Sequence, residues 1–278
     1  NKTIKNLTGT QGLFTSVIGA SDAKRAEVKN VTVEGSVNGS TKVGGIAGSA
    51  HWANFSNCIN KANISGTSNL AGIVGYSMQG TTTGSFITLT NCGNEGSITG
   101  TGAAGVLGYA KGSTVLVGCY NTGAISGSAS TYTNGATGGM VGYLQGYRNA
   151  SSLTDCYNTG AVNGNGNYAG GLIGTMYNGV TATNCYNAGT VTGGSGKIGA
   201  IAGVAYHATS SKAVNCYYLD TSCAAAATYK PAAVNAGTTA KTDAEMKDAA
   251  IVTLLGASYK QGSTYPVLAW ECDIIDCV

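Results

Sequence analysis

The sequence predicts an all-β chain wound as a single parallel β-helix, or β-solenoid, of about seven rungs, closed by a small helix-plus-strand C-terminal cap. Three observations lead there. A phrase built around cysteine recurs at a near-constant interval. A glycine-framed aliphatic run recurs beside it. The segments between alternate apolar and polar residues and contain no proline.

The cysteine phrase runs Asn57-Cys58-Ile59-Asn60, Asn91-Cys92-Gly93-Asn94, Gly118-Cys119-Tyr120-Asn121, Asp155-Cys156-Tyr157-Asn158, Asn184-Cys185-Tyr186-Asn187 and Asn215-Cys216-Tyr217-Tyr218. Its cysteines are 34, 27, 37, 29 and 31 residues apart, a period that marks stacked supersecondary units. Behind it comes Gly-x-[Val/Ile]-x-Gly, as in Gly123-Ala124-Ile125-Ser126-Gly127 and Gly160-Ala161-Val162-Asn163-Gly164. The aliphatic run follows, for example Gly138-Gly139-Met140-Val141-Gly142 and Gly170-Gly171-Leu172-Ile173-Gly174. A cysteine-free copy at Asn30-Val31-Thr32-Val33-Glu34-Gly35 places Val31 in the cysteine slot. Ile4, Leu7, Leu13, Phe14, Val17 and Ile18 look like an incomplete opening rung, as expected of a mature or excised piece of a longer polypeptide.

Within each copy the local pattern is strand. Val31, Val33 and Val37 lie two and four residues apart and Val115 and Val117 two apart, and period two suits a strand with one buried face. The 44 glycines exclude a long helix from the repeats, and Pro231 and Pro266 both lie beyond them, so no ladder N–H is missing. Stacked rungs pair each strand with its equivalent one turn later. A narrow bore then explains the Gly, Ala, Val, Ile and Cys. Cys58, Cys92, Cys119, Cys156, Cys185 and Cys216 become an internal ladder of free thiols, because stacked side chains lie alongside rather than toward one another. Cys223, Cys272 and Cys277 lie outside the ladder, and a Cys272–Cys277 or a Cys216–Cys223 bridge is compatible with the spacing.

The solenoid is expected over residues 1–220 and a capping segment over 221–278. Thr242-Asp243-Ala244-Glu245 is a capping box, opening a helix over about 242–255 with Met246, Ala249, Ala250, Val252 and Leu255 on one face and Gly256 as its stop. A short strand follows at about 265–270. Such a segment acts as a lid over the open last rung.

Taken together, Asn-Cys-Tyr-Asn-x-Gly-x-Val-x-Gly followed by Gly-Gly-Leu-Ile-Gly resembles the GLUG repeat of large secreted and surface proteins of gut and oral bacteria, some of them IgA peptidases. The ending Asn215-Cys216-Tyr217-Tyr218-Leu219-Asp220 and the later Tyr265-Pro266-Val267-Leu268-Ala269-Trp270 are similar to the close of such arrays. The resemblance covers roughly residues 28–270. It implies an accessory stalk or adhesive region, extracellular or on the bacterial surface. It does not carry over peptidase chemistry, which needs a His-Glu-x-x-His zinc motif that this sequence lacks.

Composition narrows the function further. Only 10% of residues are charged, against about 25% in an ordinary soluble domain. The net charge is +3 with no basic run, which argues against nucleic-acid binding. No apolar stretch is long enough to span a membrane. No metal or cofactor is expected, since there is no Cys-x-x-Cys, and His51 and His207 stand alone. Polysaccharide-degrading β-helices need clustered carboxylates. Between residues 40 and 215 the acids are Glu95 and Asp155, two rungs apart. The chain is therefore expected to be a non-catalytic structural or adhesive module. The alternative is a carbohydrate-binding module, with a polysaccharide-degrading enzyme the less favoured reading. The binding candidates are aromatic. If Cys points inward, alternation turns Tyr120, Tyr157, Tyr186 and Tyr217 outward as an exposed column. Tyr76, Tyr109 and Tyr143 form a second column, and Trp52 stands in a loop. Such rows can meet surface glycans or proteins, or merely stabilise the sheet.

Overall fold

The structure is a computed structural model that describes residues 1–77, 86–128, 131, 135–146, 150–165, 168–194, 197–206, 210–225, 227–229 and 232–273. The chain is an all-β parallel solenoid of about seven turns. One coil shows how the sequence winds. Ile87–Thr90, Gly93–Asn94, Ile98–Gly100, Ala103–Ala104 and Leu107–Lys111 are five short strands broken by bends. Each pairs in parallel with its equivalent in the next coil: Leu89 with Leu116, Asn94 with Asn121, Ile98 with Ile125, Ala104 with Gly138 and Tyr109 with Tyr143. Repetition gives parallel sheets of 19, 6 and 7 strands. The expected opening rung is present: Lys2–Gly9 pairs with Ala26–Asn38 and Phe14–Ile18 with Ala47–His51.

The bore is filled by columns of apolar side chains. Phe55, Leu89, Leu116, Leu153 and Ala182 follow one another in register and are buried. Ala50, Ser77, Ala110, Leu144 and Met176 form another column. Both columns end on small residues, Met176 being followed by Ala205 and Ala182 by Ala213, so the bore narrows toward the C-terminal coils.

The corner before each cysteine has a specific cause. Asn30, Asn57, Asn91, Gly118, Asp155, Asn184 and Asn215 all have φ between 51° and 60°. This left-handed turn is tolerated by Gly, Asn and Asp and disfavoured for other residues. It therefore selects those types at every copy. Asn57 donates to Asn30 Oδ1, and Asn215 donates to Asn184 Oδ1, so the corners are also linked side chain to side chain.

The C-terminal segment departs from the expected lid. Thr238–Lys241 does extend the stack, pairing in parallel with Cys216–Leu219. Beyond it the chain turns back along the side of the solenoid as a strap. The helix expected over 242–255 is two helices, Asp243–Lys247 and Ala249–Leu255. The capping box forms, but Asp248 is extended, and its side chain caps the second helix by accepting from Ala250 N–H at 2.8 Å. The strand expected over 265–270 is confined to Val267–Leu268, because its antiparallel partner, Tyr259–Lys260, offers only two residues. A 3-10 helix takes over at Ala269–Asp273.

Candidate functional site

Every copy of the cysteine phrase sends alternate side chains to opposite sides of the coil wall. The cysteine points into the bore. Cys58, Cys92, Cys119, Cys156, Cys185 and Cys216 are buried and free. Each thiol donates to the carbonyl two residues earlier, as from Cys156 to Thr154 and from Cys185 to Thr183. Burial pushes the Cys92 and Cys156 thiols up, so they remain protonated packing groups rather than nucleophiles. Outside the ladder, Cys223 is free, so the Cys216–Cys223 bridge does not form. Cys272 is in a disulfide, and Cys277 lies outside the described residues.

The tyrosines after the cysteines do lie on the outer side, but the expected exposed column is not exposed. Tyr120, Tyr157, Tyr186 and Tyr217 retain only 4%, 2%, 0% and 7% of their surface. The strap covers them. Met246, Ile251, Leu255, Tyr259 and Leu268 pack with the column in one apolar cluster. Polar contacts fix its course. Ser258 Oγ donates to Asp155 Oδ2 at 2.7 Å, Tyr259 Oη to Asn184 O at 2.9 Å, and Trp270 Nε1 to Gly118 O at 2.9 Å. The Tyr186 hydroxyl donates to Pro266 O. Tyr120 tops the column: its ring lies over Gly93, where a Cβ would approach it to 2.2 Å, so the preceding rung has no side chain there.

Two carboxylates meet this column. Tyr120 Oη donates to Glu95 Oε1 at 2.8 Å, and Glu95 also pairs with Lys61 at 3.0 Å. Tyr157 Oη donates to Glu271 Oε2 at 2.9 Å, while Glu271 Oε1 accepts from Leu268 N–H at 2.7 Å. Glu271 is 5% exposed. Burial pushes its carboxyl up to about 7, and nearby Glu95 adds to the rise despite the two hydrogen bonds. Sequence spacing brought Glu95 and Asp155 forward. The structure instead sets Glu95 in the neighbourhood of Glu271, which arrives on the strap, and uses Asp155 as a strap anchor. Nothing in the local sequence around Glu271 signals this, because the juxtaposition exists only once the strap has folded back. Beside it, Thr122, Tyr157, Thr159, Tyr186 and residues 263–267 line an open cavity of about 310 Å³.

The second tyrosine column is a stack. Tyr76 and Tyr109 lie 5.2 Å apart at 6° between planes, and Tyr109 and Tyr143 lie 4.7 Å apart at 10°. Tyr109 and Tyr143 are buried and Tyr76 half-buried. Lys42 Nζ sits 4.5 Å from the centre of the Tyr76 ring. Within the stacked runs Tyr120–Tyr157–Tyr186 and Tyr76–Tyr109–Tyr143, the ring faces that would stack on a sugar are turned toward the neighbouring ring. Trp52 is half-buried, its ring tilted against His51 at 4.1 Å, and its backbone is left-handed at φ 46°. His207 lies outside the described residues. Among the described residues, no three His, Cys, Asp or Glu side chains are grouped to hold a metal ion.

One recurrent feature escaped the sequence reading although its letters were in view. The asparagine closing the phrase is buried, and it forms a ladder. Asn60, Asn94, Asn121 and Asn158 each donate from Nδ2 to Oδ1 of the next asparagine at 2.7 Å, ending on Asn187. Each also donates to a carbonyl two residues on, as from Asn121 to Gly123 O. The glycine pairs of the aliphatic run now have a reason. A Cβ on Gly105 would come within 2.6 Å of the Asn121 carboxamide, and one on Gly139 within 2.5 Å of that of Asn158. The missed signal was an amide at constant offset from the cysteine, two residues before a glycine or alanine in the next turn.

Fold and ladders together define a parallel β-solenoid whose repeated polar residues hold coil to coil. In structure the chain is similar to one from Bacteroides ovatus provisionally named an immunoglobulin A1 protease, with a TM-score of 0.65 and 20% identity over 91% of this chain and 80% of that one. The sequence matches no family profile and no curated protein, so the resemblance to GLUG repeats stands on the quoted residues.

Proposed function

We propose that the chain is a non-catalytic structural module of a secreted or cell-surface bacterial protein, a rod that meets surface glycans or proteins through its outer loops and faces. One observation carries this reading: the residues that recur are consumed in contacts between coils. The asparagines bond to one another, the thiols fill the bore, and the tyrosines stack or lie beneath the strap. The low charge of the chain supports an extracellular setting. The test is direct. The purified chain, incubated with immunoglobulin A1 or with plant and host polysaccharides, should release no product, while beads carrying it should be retained on mucin or epithelial surfaces. Sustained turnover that is lost in Glu271→Gln overturns the proposal in favour of a β-helix enzyme.

A carbohydrate-binding reading draws on a separate observation, the cavity beside Tyr157 and Tyr186 with the hydroxyls of Thr122, Thr159, Ser263 and Thr264 around it. Hydroxyl donors and acceptors beside aromatic edges suit a neutral sugar. Filling the cavity by Thr159→Trp should abolish glycan-array binding at unchanged melting temperature. Retained binding excludes this site.

A further inference from the structure

The strap is held by few polar contacts, and one of them is a carboxyl group buried without a cation. Glu271 lies between Tyr157 of the solenoid wall and the backbone of Leu268. Among the described residues, the groups that act on it are neutral or acidic. From the wall these are Tyr120, Tyr157 and Tyr186, each of which feels the Glu271 charge, and Glu95, whose own charge is shared with Lys61. From the strap itself comes the Leu268 N–H. No ion pair among the described residues includes Glu271. An ionised carboxylate in such surroundings pays desolvation without a counter-charge. A neutral carboxyl keeps both contacts, because the Tyr157 hydroxyl can either donate to it or accept from it across the same 2.9 Å.

We propose that Glu271 is a pH-sensitive clasp: in its neutral form it fastens the C-terminal strap over the tyrosine column, and its ionisation loosens the strap and uncovers Tyr120 and Tyr157. The sign follows from linkage. The carboxyl titrates at about 7 when docked, against an ordinary value of 4.5. The docked state therefore holds a proton that the released state gives up, and docking is strongest in acid and weakens as pH rises. Between those two values the docking equilibrium should fall about tenfold per pH unit, roughly 300-fold in all. Above about 7 both states are ionised and the dependence levels off. Trp270 reports the event, since its ring leans on Tyr120 at 5.8 Å and its indole N–H is tied to Gly118 O. The proposal is independent of whether the rod is an adhesive stalk or a binding module.

The experiment is hydrogen exchange of residues 242–272 in the full chain from pH 5 to 9, corrected for intrinsic rates, together with Trp270 emission in a Trp52→Phe background. Strap protection should fall as pH approaches 7 while the solenoid strands stay protected. Glu271→Gln keeps the shape and cannot ionise, so it should remain docked with a flat profile. Glu95→Gln removes the like charge and should shift the midpoint downward. Strap protection independent of pH in the wild type, or the same titration in Glu271→Gln, overturns the clasp. Should Glu271→Gln not fold, carbon-13 NMR of the wild-type Glu271 carboxyl decides alone: a midpoint near 7 supports the proposal and one below 5 overturns it.

Discussion

Replacing Asn121 with Ala removes the middle link of the asparagine ladder. In the native coil the Asn121 side chain donates to Asn158 Oδ1 at 2.7 Å and to Gly123 O at 2.9 Å, and accepts from Asn94 at 2.7 Å. It is fully buried, as are Asn94 and Asn158, so water cannot replace what is lost. Truncation strands one donor hydrogen and two acceptors. A buried unsatisfied group costs about 1–3 kcal/mol, but an oxygen with a second lone pair lies at the low end, so the sum is about 4 kcal/mol. At about 2–4 °C per kcal/mol for a chain of this size, the melting temperature should fall by roughly 10 °C. The ladder supplies its own control. Asn187 is its last member: it accepts from Asn158 and donates to Gly189 O, with no asparagine beyond it. Asn187→Ala strands one acceptor fewer and should therefore cost less, about 3 kcal/mol. Asn121→Asp preserves the shape but turns an oxygen toward Asn158 Oδ1 and Gly123 O, so it should destabilise at neutral pH and recover partly in acid, where the carboxyl regains a hydrogen to donate. Urea unfolding followed by circular dichroism, with Asn121→Ala and Asn187→Ala compared at equal m-value, measures the difference. A loss below about 1 kcal/mol at Asn121, or an equal loss at Asn187, refutes the ladder as a stabilising element.

Three further expectations concern the corner, the bore and the strap. At the left-handed corner, Asn91→Gly should be nearly neutral because Gly118 already occupies the equivalent position, whereas Asn91→Val should cost about 1–2 kcal/mol; equal effects in thermal melts would remove the conformational explanation. In native protein a thiol reagent should modify Cys223, which is half-buried, before any of the six ladder cysteines, and mass spectrometry showing early labelling at Cys119 or Cys156 would contradict the dry bore. Trp270→Ala removes the bond to Gly118 O and the packing on Tyr120, at about 2–4 kcal/mol of strap docking. It should raise proteolysis within residues 242–272 without affecting the solenoid. Cleavage spread evenly along the chain would show that strap and rod unfold as one unit.

How far the letters reached can be judged residue by residue. Period-two valines and the recurring cysteine revealed a wound parallel sheet because stacking makes each copy chemically equivalent: Leu89 must suit the place that Leu116 fills one turn on. The inward direction of the cysteines followed from the same periodicity. Exposure of the tyrosines did not, since alternation tells which side of a wall a side chain leaves and not what lies beyond it. Tyr157 points outward as expected and meets Glu271, 114 residues away in sequence. The helix break at Asp248 was equally out of reach, because a capping box locates a start, while the interruption depends on how the segment is laid against Tyr186 and Tyr217.

Sequence by itself determined the coil: its period, its left-handed corners and the size of what fills its bore, all consequences of local backbone preference and near-identical neighbours. Tertiary structure alone decided the course of the strap, the burial of the tyrosines and the meeting of Tyr157 with Glu271. Those contacts join residues that no repeat relates, so their energies depend on docking geometry rather than on spacing along the chain.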